Sequence, residues 1–200
     1  MAQFDGHVVT TELKDEDVTA FEQLAAEEGV ATAVAEELQG LSVYKMTGKL
    51  VSVGDDFYIE NEQGEKVFHV DGQALTIRDT LIFKDMDGKK LCEVREKILN
   101  VKDTMEIEAG GEIIATIKRS LIDVVGERYA IEIEDGPTLD VDGSITDHEY
   151  RIEQDGEQVA EISKRWFSVR DTYGIEIEPG QNEILILAAA AAIDVMSDTD

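Results

Sequence analysis

The chain lacks the cysteines that a disulfide framework or a structural zinc site would need. Cys92 is the only cysteine among 200 residues. An intramolecular disulfide and a multi-cysteine zinc site are therefore both excluded. Because Cys92 lies in an apolar strand pattern, we predict that it is a small core residue and not a nucleophile.

Long apolar runs are also missing. A helix that spans a bilayer needs roughly 18–20 apolar residues, and the apolar run that begins at Ile184 is broken by Asp194 after ten residues. Residues 1–13 lack a cationic region followed by an apolar run, so no secretory signal peptide is predicted. The sequence thus disfavours a membrane-spanning helix, and the expected location is the cytoplasm.

Basic residues are scarce. The chain has 18 lysines and arginines against 45 aspartates and glutamates, which gives a net charge of −27. Such a charge repels nucleic-acid phosphates and anionic lipids, so nucleic-acid binding is not expected and membrane binding is disfavoured. One interpretation is an acidic protein that binds a basic partner. The other is adaptation to a salt-rich cytoplasm, where screening weakens self-repulsion, and the spread of acidic residues through every segment favours this second interpretation.

Recognisable catalytic motifs are absent from the sequence. It contains no phosphate-binding glycine loop and no serine nucleophile elbow. With 45 carboxylates, the spacing of any one pair carries no information about a glycosidase site. His7, His69 and His148 lack the spacing of metal ligands, so unrelated surface or half-buried positions are predicted for them. We therefore predict no catalytic, cofactor-binding or metal-binding residues and a protein that is not an enzyme.

Three short stretches are weakly similar to known binding motifs. Asp85–Gly88 and Asp140–Gly143 partly resemble calcium loops, but they lack the acidic spacing and distant glutamate of an EF-hand. We predict a hairpin turn at each of these two stretches, and weak cation binding to an acidic surface is the alternative. Lys164–Phe167 is the one stretch where two basic residues directly precede two aromatic residues. It fits a base-stacking or lipid-contacting patch, but two cations cannot offset the overall charge, which favours a strand end with Trp166 in the core.

What the chain does have is one strongly apolar segment near its end. Five consecutive alanines, Ala188–Ala192, favour a helix because alanine loses no side-chain entropy on entering one. Ile184–Leu187 covers nearly every direction around the helix axis, and a helix that is apolar on all sides is buried. Asn182 can cap its start, and Glu183 is favourable at the positive end of the helix dipole. We predict a buried central helix over residues 183–196.

From Ser42 onward, short runs with alternating apolar positions predict β-strands. Glycine turns separate them, and many short strands at regular spacing are typical of a sandwich or a barrel. The predicted strands are Ser42–Met46, Phe57–Asn61, Lys66–Val70, Leu75–Arg78, Leu81–Lys84, Lys90–Arg95, Leu99–Lys102, Met105–Glu108, Ile113–Lys118, Ile122–Val125, Tyr129–Ile133, Thr138–Val141, Tyr150–Glu153, Gln158–Ser163 and Tyr173–Ile177. The predicted turns contain Gln63-Gly64, Asp71-Gly72, Asp87-Gly88, Gly110-Gly111, Asp135-Gly136, Asp142-Gly143 and Asp155-Gly156.

An internal repeat favours the barrel. A unit of turn glycine, strand, and an Asp-Thr turn into the next strand begins at Gly88 and recurs 68 residues later at Gly156. A further copy begins at Gly64, and a weaker one begins at Gly111. Regular repetition of one unit favours a sheet that closes on itself and so leaves no exposed edge. We therefore predict a mainly β fold, a closed antiparallel β-barrel of about a dozen strands wrapped around the C-terminal helix.

Residues 1–40 have a different composition. This region is rich in alanine and glutamate, with Val18, Phe21, Leu24 and Ala25 at helical spacing. It predicts a helical N-terminal appendage, either packed on the barrel or on a partner, or partly frayed. The barrel domain is predicted over residues 41–200.

The barrel region contains a series of short motifs in a set order: Tyr44-Lys45-Met46, Lys49-Leu50, Ser52, Gly54-Asp55-Asp56-Phe57, Ile59, Gly64, Val67-Phe68, Val70, Asp71-Gly72 and Asp85-Met86-Asp87-Gly88. The sequence is similar to the LURP-one-related (LOR) family, whose fold is related to the tubby C-terminal domain and the phospholipid scramblases. This resemblance implies a closed β-barrel threaded by a hydrophobic C-terminal helix, and no established enzymatic activity. Tubby domains bind phosphoinositides through basic side chains, and no comparable basic cluster occurs here. By the strand pattern, the resemblance extends over about Ser42 to Met196 and does not include residues 1–40.

Two functional hypotheses follow. The first is a non-enzymatic binding or scaffold module of the LOR family, with an unknown protein or small ligand as its partner. The alternative is a lipid- or membrane-associated module, by analogy with the relatives of the fold. If the helix fills the lumen, a binding site is expected on the outer face, at the rims of the barrel, or on residues 1–40.

Overall fold

The computed structural model describes residues 40–47, 56–75, 78–97, 104–120, 128–166 and 172–197, with the backbone alone at residues 47, 73–75, 78–79 and 120. The barrel belongs to the unit Leu41–Asp200. The predicted helical appendage over residues 1–40 lies almost wholly outside the described residues and stays a prediction. The predicted strands Leu99–Lys102 and Ile122–Val125 also lie outside them.

The described residues form twelve strands and one helix. Each strand pairs antiparallel with the next in sequence, and β1 pairs with β12, so the sheet closes into a barrel. The predicted closed antiparallel barrel is therefore confirmed. The elements are β1 (Ser42–Thr47), β2 (Phe57–Asn61), β3 (Lys66–Leu75), β4 (Arg78–Asp85), β5 (Lys90–Glu96), β6 (Thr104–Ala109), β7 (Glu112–Ser120), β8 (Arg128–Ile133), β9 (Thr138–Ser144), β10 (Glu149–Gln154), β11 (Glu157–Ser163), β12 (Thr172–Ile177) and α1 (Glu183–Ser197).

Tight glycine turns join each even-numbered strand to the odd-numbered strand that follows it. Gly64, Gly88 and Gly156 have φ values of 77°, 84° and 87°, a conformation that glycine adopts without steric cost. In the β4–β5 turn the Asp85 carboxylate accepts hydrogen bonds from the backbone N–H groups of Asp87 (3.0 Å) and Lys89 (2.8 Å). The hairpin turn predicted at Asp85–Gly88 is therefore confirmed.

Two other predicted turns are wrong. Asp71-Gly72 lies inside β3, where both residues pair with β4. Asp140–Gly143 lies inside β9, and Gly143 pairs with Tyr150 of β10. A Cβ atom at Gly143 would lie 2.7 Å from the Tyr150 Cα atom, so glycine serves a close approach of two backbones there. The Asp-Gly signal is local, and pairing with a neighbouring strand overrides it.

The internal repeat corresponds to pairs of strands. Its glycines Gly64, Gly88, Gly111 and Gly156 directly precede the strands β3, β5, β7 and β11. The threonine that follows the repeated aspartate lies near or at the start of the second strand of a pair. Three such threonines, Thr80, Thr104 and Thr172, are all buried.

The lumen of the barrel is filled by α1. Every residue from Leu185 to Met196 is buried, and the helix contacts β5, β6, β7 and β12. The Asn182 side chain accepts a hydrogen bond from the Leu185 N–H group at 3.2 Å, which confirms the predicted N-cap. The predicted central helix is also confirmed. Among the described residues, no helix is both long enough and apolar enough to span a bilayer.

The two ends of the barrel differ. The tight glycine turns lie at one end, which we call the hairpin end, and the chain passes from β12 into the start of α1 at this end. Because the strands alternate in direction, odd-numbered strands finish and even-numbered strands begin at the opposite end. This distal end also receives the C-terminus of α1.

We predict that a chain ending at Gly180 does not unfold cooperatively. It would lose the large apolar side chains of α1, whose burial contributes roughly 10–20 kcal/mol at about 1.5–3 kcal/mol each. That gross contribution is as large as the net stability of a typical domain. The measurement is urea denaturation followed by circular dichroism, with a chain ending at Ser197 as the control. A cooperative transition in the chain that ends at Gly180 would contradict the role of α1 as the core.

Candidate functional site

A buried acid–base pair lies at the distal end of the barrel. Asp194, near the C-terminus of α1, is 5% exposed, and His148, in the β9–β10 connection, is 9% exposed. The His148 Nε2 atom lies 2.6 Å from the Asp194 Oδ1 atom. This close approach lacks hydrogen-bond geometry, and His148 Nδ1 and Asp194 Oδ2 also have no hydrogen-bond partner. The prediction of a surface or half-buried position for His148 is wrong.

The backbone holds His148 in an uncommon conformation. Its φ angle is 51°, a left-handed value that histidine adopts more readily than most side chains. The His148 N–H group donates to the Ile145 carbonyl at 2.9 Å, and its own carbonyl accepts from the Lys164 N–H group at 3.2 Å. The turn between β9 and β10 thus directs the imidazole toward the lumen and α1.

Tyrosines surround this pair. The rings of His148 and Tyr173 lie 4.6 Å apart between centroids, and the Tyr173 hydroxyl donates to the Met46 sulfur at 3.3 Å. Burial raises the pKa of Tyr150 and of Tyr173 well above the ordinary value, and the charge of Asp194 raises both pKa values further. Both phenols therefore stay protonated at neutral pH.

An imidazole next to a carboxylate is an arrangement that general acid–base catalysis uses. Here both side chains are buried where α1 meets the barrel, and neither lines the cavity beside β1 or the depression beside β10. Proton transfer to a bound substrate requires hydrogen-bond reach. The geometry is that of a structural contact between the helix and the barrel.

The outer surface of β9–β12 carries a second feature, a group of carboxylates that we call the acidic face. Arg151 lies opposite Asp142 on one side and Glu161 on the other, and Glu161 lies directly opposite Glu176. None of the acidic-face carboxylates forms an ion pair with a described cation. The acidic face consists of Asp140, Asp142, Glu153, Glu161, Glu176 and Glu178.

Desolvation and like charge act on one member of the acidic face. Partial burial raises the pKa of Glu176, and the neighbouring carboxylates of Glu161 and Glu178 raise it further. Adjacent to the acidic face is an open depression of about 270 Å³, bordered by Glu161, Arg151 and Arg165 among others. By contrast, ion pairs such as Lys84–Asp71 (2.7 Å) and Arg95–Glu108 (2.7 Å) neutralise charge on β3–β6.

The basic–aromatic stretch forms a turn at the distal end, just after β11. The Glu149 carboxylate accepts hydrogen bonds from the backbone N–H groups of Lys164 (3.0 Å) and Arg165 (3.2 Å), and from the Ser163 hydroxyl (3.0 Å). Trp166 is 39% exposed. Its predicted place in the core is wrong, because the turn held by Glu149 ends the strand at Ser163 before the tryptophan. We call Lys164–Trp166 the basic–aromatic turn.

His69 lies apart from the His148–Asp194 pair, on a different strand. His69 is half-buried on β3, 3.3 Å from the Asp56 carboxylate through its Nε2 atom, and its ring stacks on Tyr58 at 4.9 Å. His7 lies outside the described residues. Within the part of the chain that the structure describes, no group of three or more histidine, cysteine, aspartate or glutamate side chains is arranged to hold a metal ion.

Cys92 is part of the core. Its side chain is buried on β5, and desolvation raises the pKa of its thiol to about 12, against a smaller opposite effect of Lys90. A nucleophilic cysteine needs its thiolate form near neutral pH. The predicted core position is therefore confirmed.

The hairpin end holds the start of α1 through a polar contact. The Glu183 carboxylate accepts hydrogen bonds from the Ser42 hydroxyl and, at 2.6 Å, from the Tyr44 hydroxyl. Burial raises the pKa of Tyr44, and the hydrogen bond to Glu183 and its charge raise it further. A surface cavity of about 410 Å³ lies beside this contact, between β1 and the β2–β3 turn.

Comparison with known proteins identifies the family. A family model described as LURP-one-related matches residues 43–194. The chain belongs to the LURP-one-related family. The fold of this LOR protein is similar to an X-ray structure of a protein from Arabidopsis thaliana, with a TM-score of 0.60 and 17% sequence identity over 78% of this chain and 91% of that one. No curated protein matches the chain.

We predict that Glu176→Gln stabilises the protein at neutral pH. The pKa of Glu176 is higher in the folded state than in the unfolded state. Ionisation of Glu176 therefore destabilises the fold at a pH above the folded pKa, and stability is regained as the pH falls through the folded pKa. Removing the charge should raise Tm by about 1–3 °C at pH 7 in low salt. The gain should be lost at acidic pH, where the carboxyl group is protonated.

The same variant tests the salt hypothesis. If screening relieves repulsion on the acidic face, the gain from Glu176→Gln should shrink in molar KCl, and the unchanged protein should become more stable as KCl rises. Glu132→Gln is the matched control, because Glu132 lies 2.5 Å from Lys118 in an ion pair and should give no gain. Full stability of the unchanged protein at low salt, followed by circular dichroism, would count against salt adaptation.

Proposed function

We propose that this LOR protein is a non-catalytic binding or scaffold module that engages its partner on the outside of the barrel. The observation that supports this is the filled lumen. Many β-barrels bind small ligands inside, but here α1 occupies that space, with every residue from Leu185 to Met196 buried. A partner must therefore contact the exterior or the rims.

The acidic face offers a chemically distinct exterior surface. Its carboxylates lie close together on neighbouring strands. Among the described residues that pair with them across β9–β12, Arg151 is the only cation. A partner with lysines or arginines would relieve the repulsion between Glu161 and Glu176 on binding. Electrostatic complementarity of this kind gives specificity and a faster association rate. We propose a basic protein surface as the partner.

Position-dependent photo-crosslinking tests this proposal. A photoreactive amino acid at Glu153, on the acidic face, should link the full-length protein to a discrete partner in its own cells. The link should disappear when Glu161→Lys and Glu176→Lys are introduced together, because the charge that attracts the partner is reversed. A photoreactive residue at Glu132 on β8 is the control position and should give no such product.

Two results would contradict the binding proposal. One is crosslinking that is equal at Glu153 and Glu132 and unaffected by charge reversal. The other is a small molecule that stays bound when the purified protein is weighed by native mass spectrometry, since this would indicate a ligand cavity in place of an exterior protein site.

A second candidate function, lipid association, has one observation in its favour. Trp166 is exposed next to Arg165, whose side chain is 82% exposed. Tryptophan beside cations suits the interface between lipid headgroups and acyl chains. The net charge of −27 opposes approach to anionic lipids at low salt.

Vesicle co-sedimentation distinguishes this candidate. Lipid association predicts binding to phosphatidylserine vesicles in molar KCl, where repulsion is screened, and a loss of at least about tenfold in Trp166→Ala, on the order of the burial energy of one large side chain. The exposed Tyr58, at 38%, gives the control variant Tyr58→Ala. No sedimentation of the unchanged protein at any salt concentration would exclude this function.

A further inference from the structure

The middle of α1 contains little that fixes its position along the barrel axis. Residues Ala188–Ala192 are identical and all buried. A slip of one residue moves a helix by about 1.5 Å and rotates it by about 100°, and in this segment such a slip mostly replaces alanine with alanine. Packing of the central turns therefore discriminates weakly between neighbouring positions of the helix.

Polar contacts lie at both ends of this uniform segment. At the hairpin end Glu183 is bound by Ser42 and Tyr44, but Glu183 is only partly buried. At the distal end Asp194 is almost completely buried and meets His148 at 2.6 Å. A slip of α1 would separate these two side chains and leave a buried carboxylate without its partner, which is strongly unfavourable.

The barrel holds His148 in place through contacts that do not involve α1. His148 is held by its turn to Ile145 and by the Lys164 N–H group, and its ring lies against Tyr173. The described titratable groups that face Asp194 are His148 from the β9–β10 connection, Tyr150 from β10 and Tyr173 from β12. Only His148 among them can carry a positive charge.

We propose that the His148–Asp194 contact acts as a clasp that sets the axial position and rotation of α1 inside the barrel. The clasp selects one position of the helix and contributes little to the net free energy of unfolding. A buried polar pair suits this role because the cost of desolvating it offsets most of its attraction, whereas removing one partner leaves the other buried and unpaired, which is costly.

The clasp also connects α1 to the outer surface. The carbonyl of His148 accepts a hydrogen bond from Lys164, the first residue of the basic–aromatic turn. The position of the helix is thus coupled, through one turn of backbone, to the exposed surface around Trp166. This coupling between α1 and the surface is independent of both proposed functions.

Methionine methyl NMR can test the clasp with probes that the chain already carries. Met196 lies on α1 next to Val195, and Met46 contacts Tyr173, so both report on the distal end. Met86 is 51% exposed in the β4–β5 turn at the hairpin end and serves as the internal control. In the unchanged protein each of these methyl groups should give one resonance.

The decisive variant replaces both partners, His148→Asn with Asp194→Leu, since asparagine tolerates the left-handed conformation. The Met196 and Met46 resonances should split or broaden while Met86 stays single, and amide exchange in the second half of α1 should accelerate by about tenfold or more. Urea unfolding should remain cooperative with a midpoint near that of the unchanged protein.

Controls and contrary outcomes complete the test. Ser197→Ala removes the hydrogen bond from Ser197 Oγ to the Asp194 carbonyl (2.9 Å) without touching the clasp, and should leave one Met196 resonance. A single Met196 resonance with unchanged exchange in the double variant would overturn the proposal. An unfolded double variant would overturn the statement that the clasp contributes little stability. The variant Asp194→Asn would then test the positional role. That role predicts one Met196 resonance in Asp194→Asn, because the amide can still bind His148.

Discussion

A closed sheet removes its edges but creates an interior that must be filled. The twelve-strand barrel of this LOR protein depends on α1 for that purpose, because the buried side chains of the strands and of the helix form one hydrophobic core. A helix rich in alanine is thin enough to be enclosed, and its apolar surface on all sides matches an environment that surrounds it completely. The same contact that completes the core removes the lumen as a ligand site.

Enclosure also determines where polar groups can lie on α1. Glu183 and Asp194 stand at opposite ends of the uniform apolar segment, and each is met by side chains of the barrel. The two contacts differ in kind. The first lies near solvent at the hairpin end, whereas the second lies in a buried cluster with Tyr150 and Tyr173, where an error in position is far more costly. The distal contact is therefore the one that can specify the arrangement of the helix.

With the interior occupied, the chemistry of the molecule lies outside. The exterior is not uniform, although the sequence shows acidic residues in every segment. Cross-strand ion pairs neutralise much of the charge on β3–β6, while the acidic face on β9–β12 places Glu161 directly opposite Glu176. The acidic composition thus places like charges directly opposite each other on the acidic face, which is the surface that we propose for a basic partner.

The sequence by itself determined most of the described strands and turns, the buried helix with its Asn182 cap, and the closed barrel that the LOR resemblance also implied, but the predicted strand Leu75–Arg78 is wrong because β3 ends at Leu75 and β4 begins at Arg78. These features depend on periodicity, turn chemistry and composition, which act within a few residues. Only the tertiary structure decided that Asp71-Gly72 and Asp140–Gly143 lie inside strands and that Trp166 is exposed. It alone brought together His148 and Asp194, which are 46 positions apart in the chain. The one sign of this contact in the sequence was Asp194, an aspartate in an otherwise apolar helix. Its partner could not be identified from the sequence, because the contact depends on strand register and on the depth at which α1 lies in the barrel.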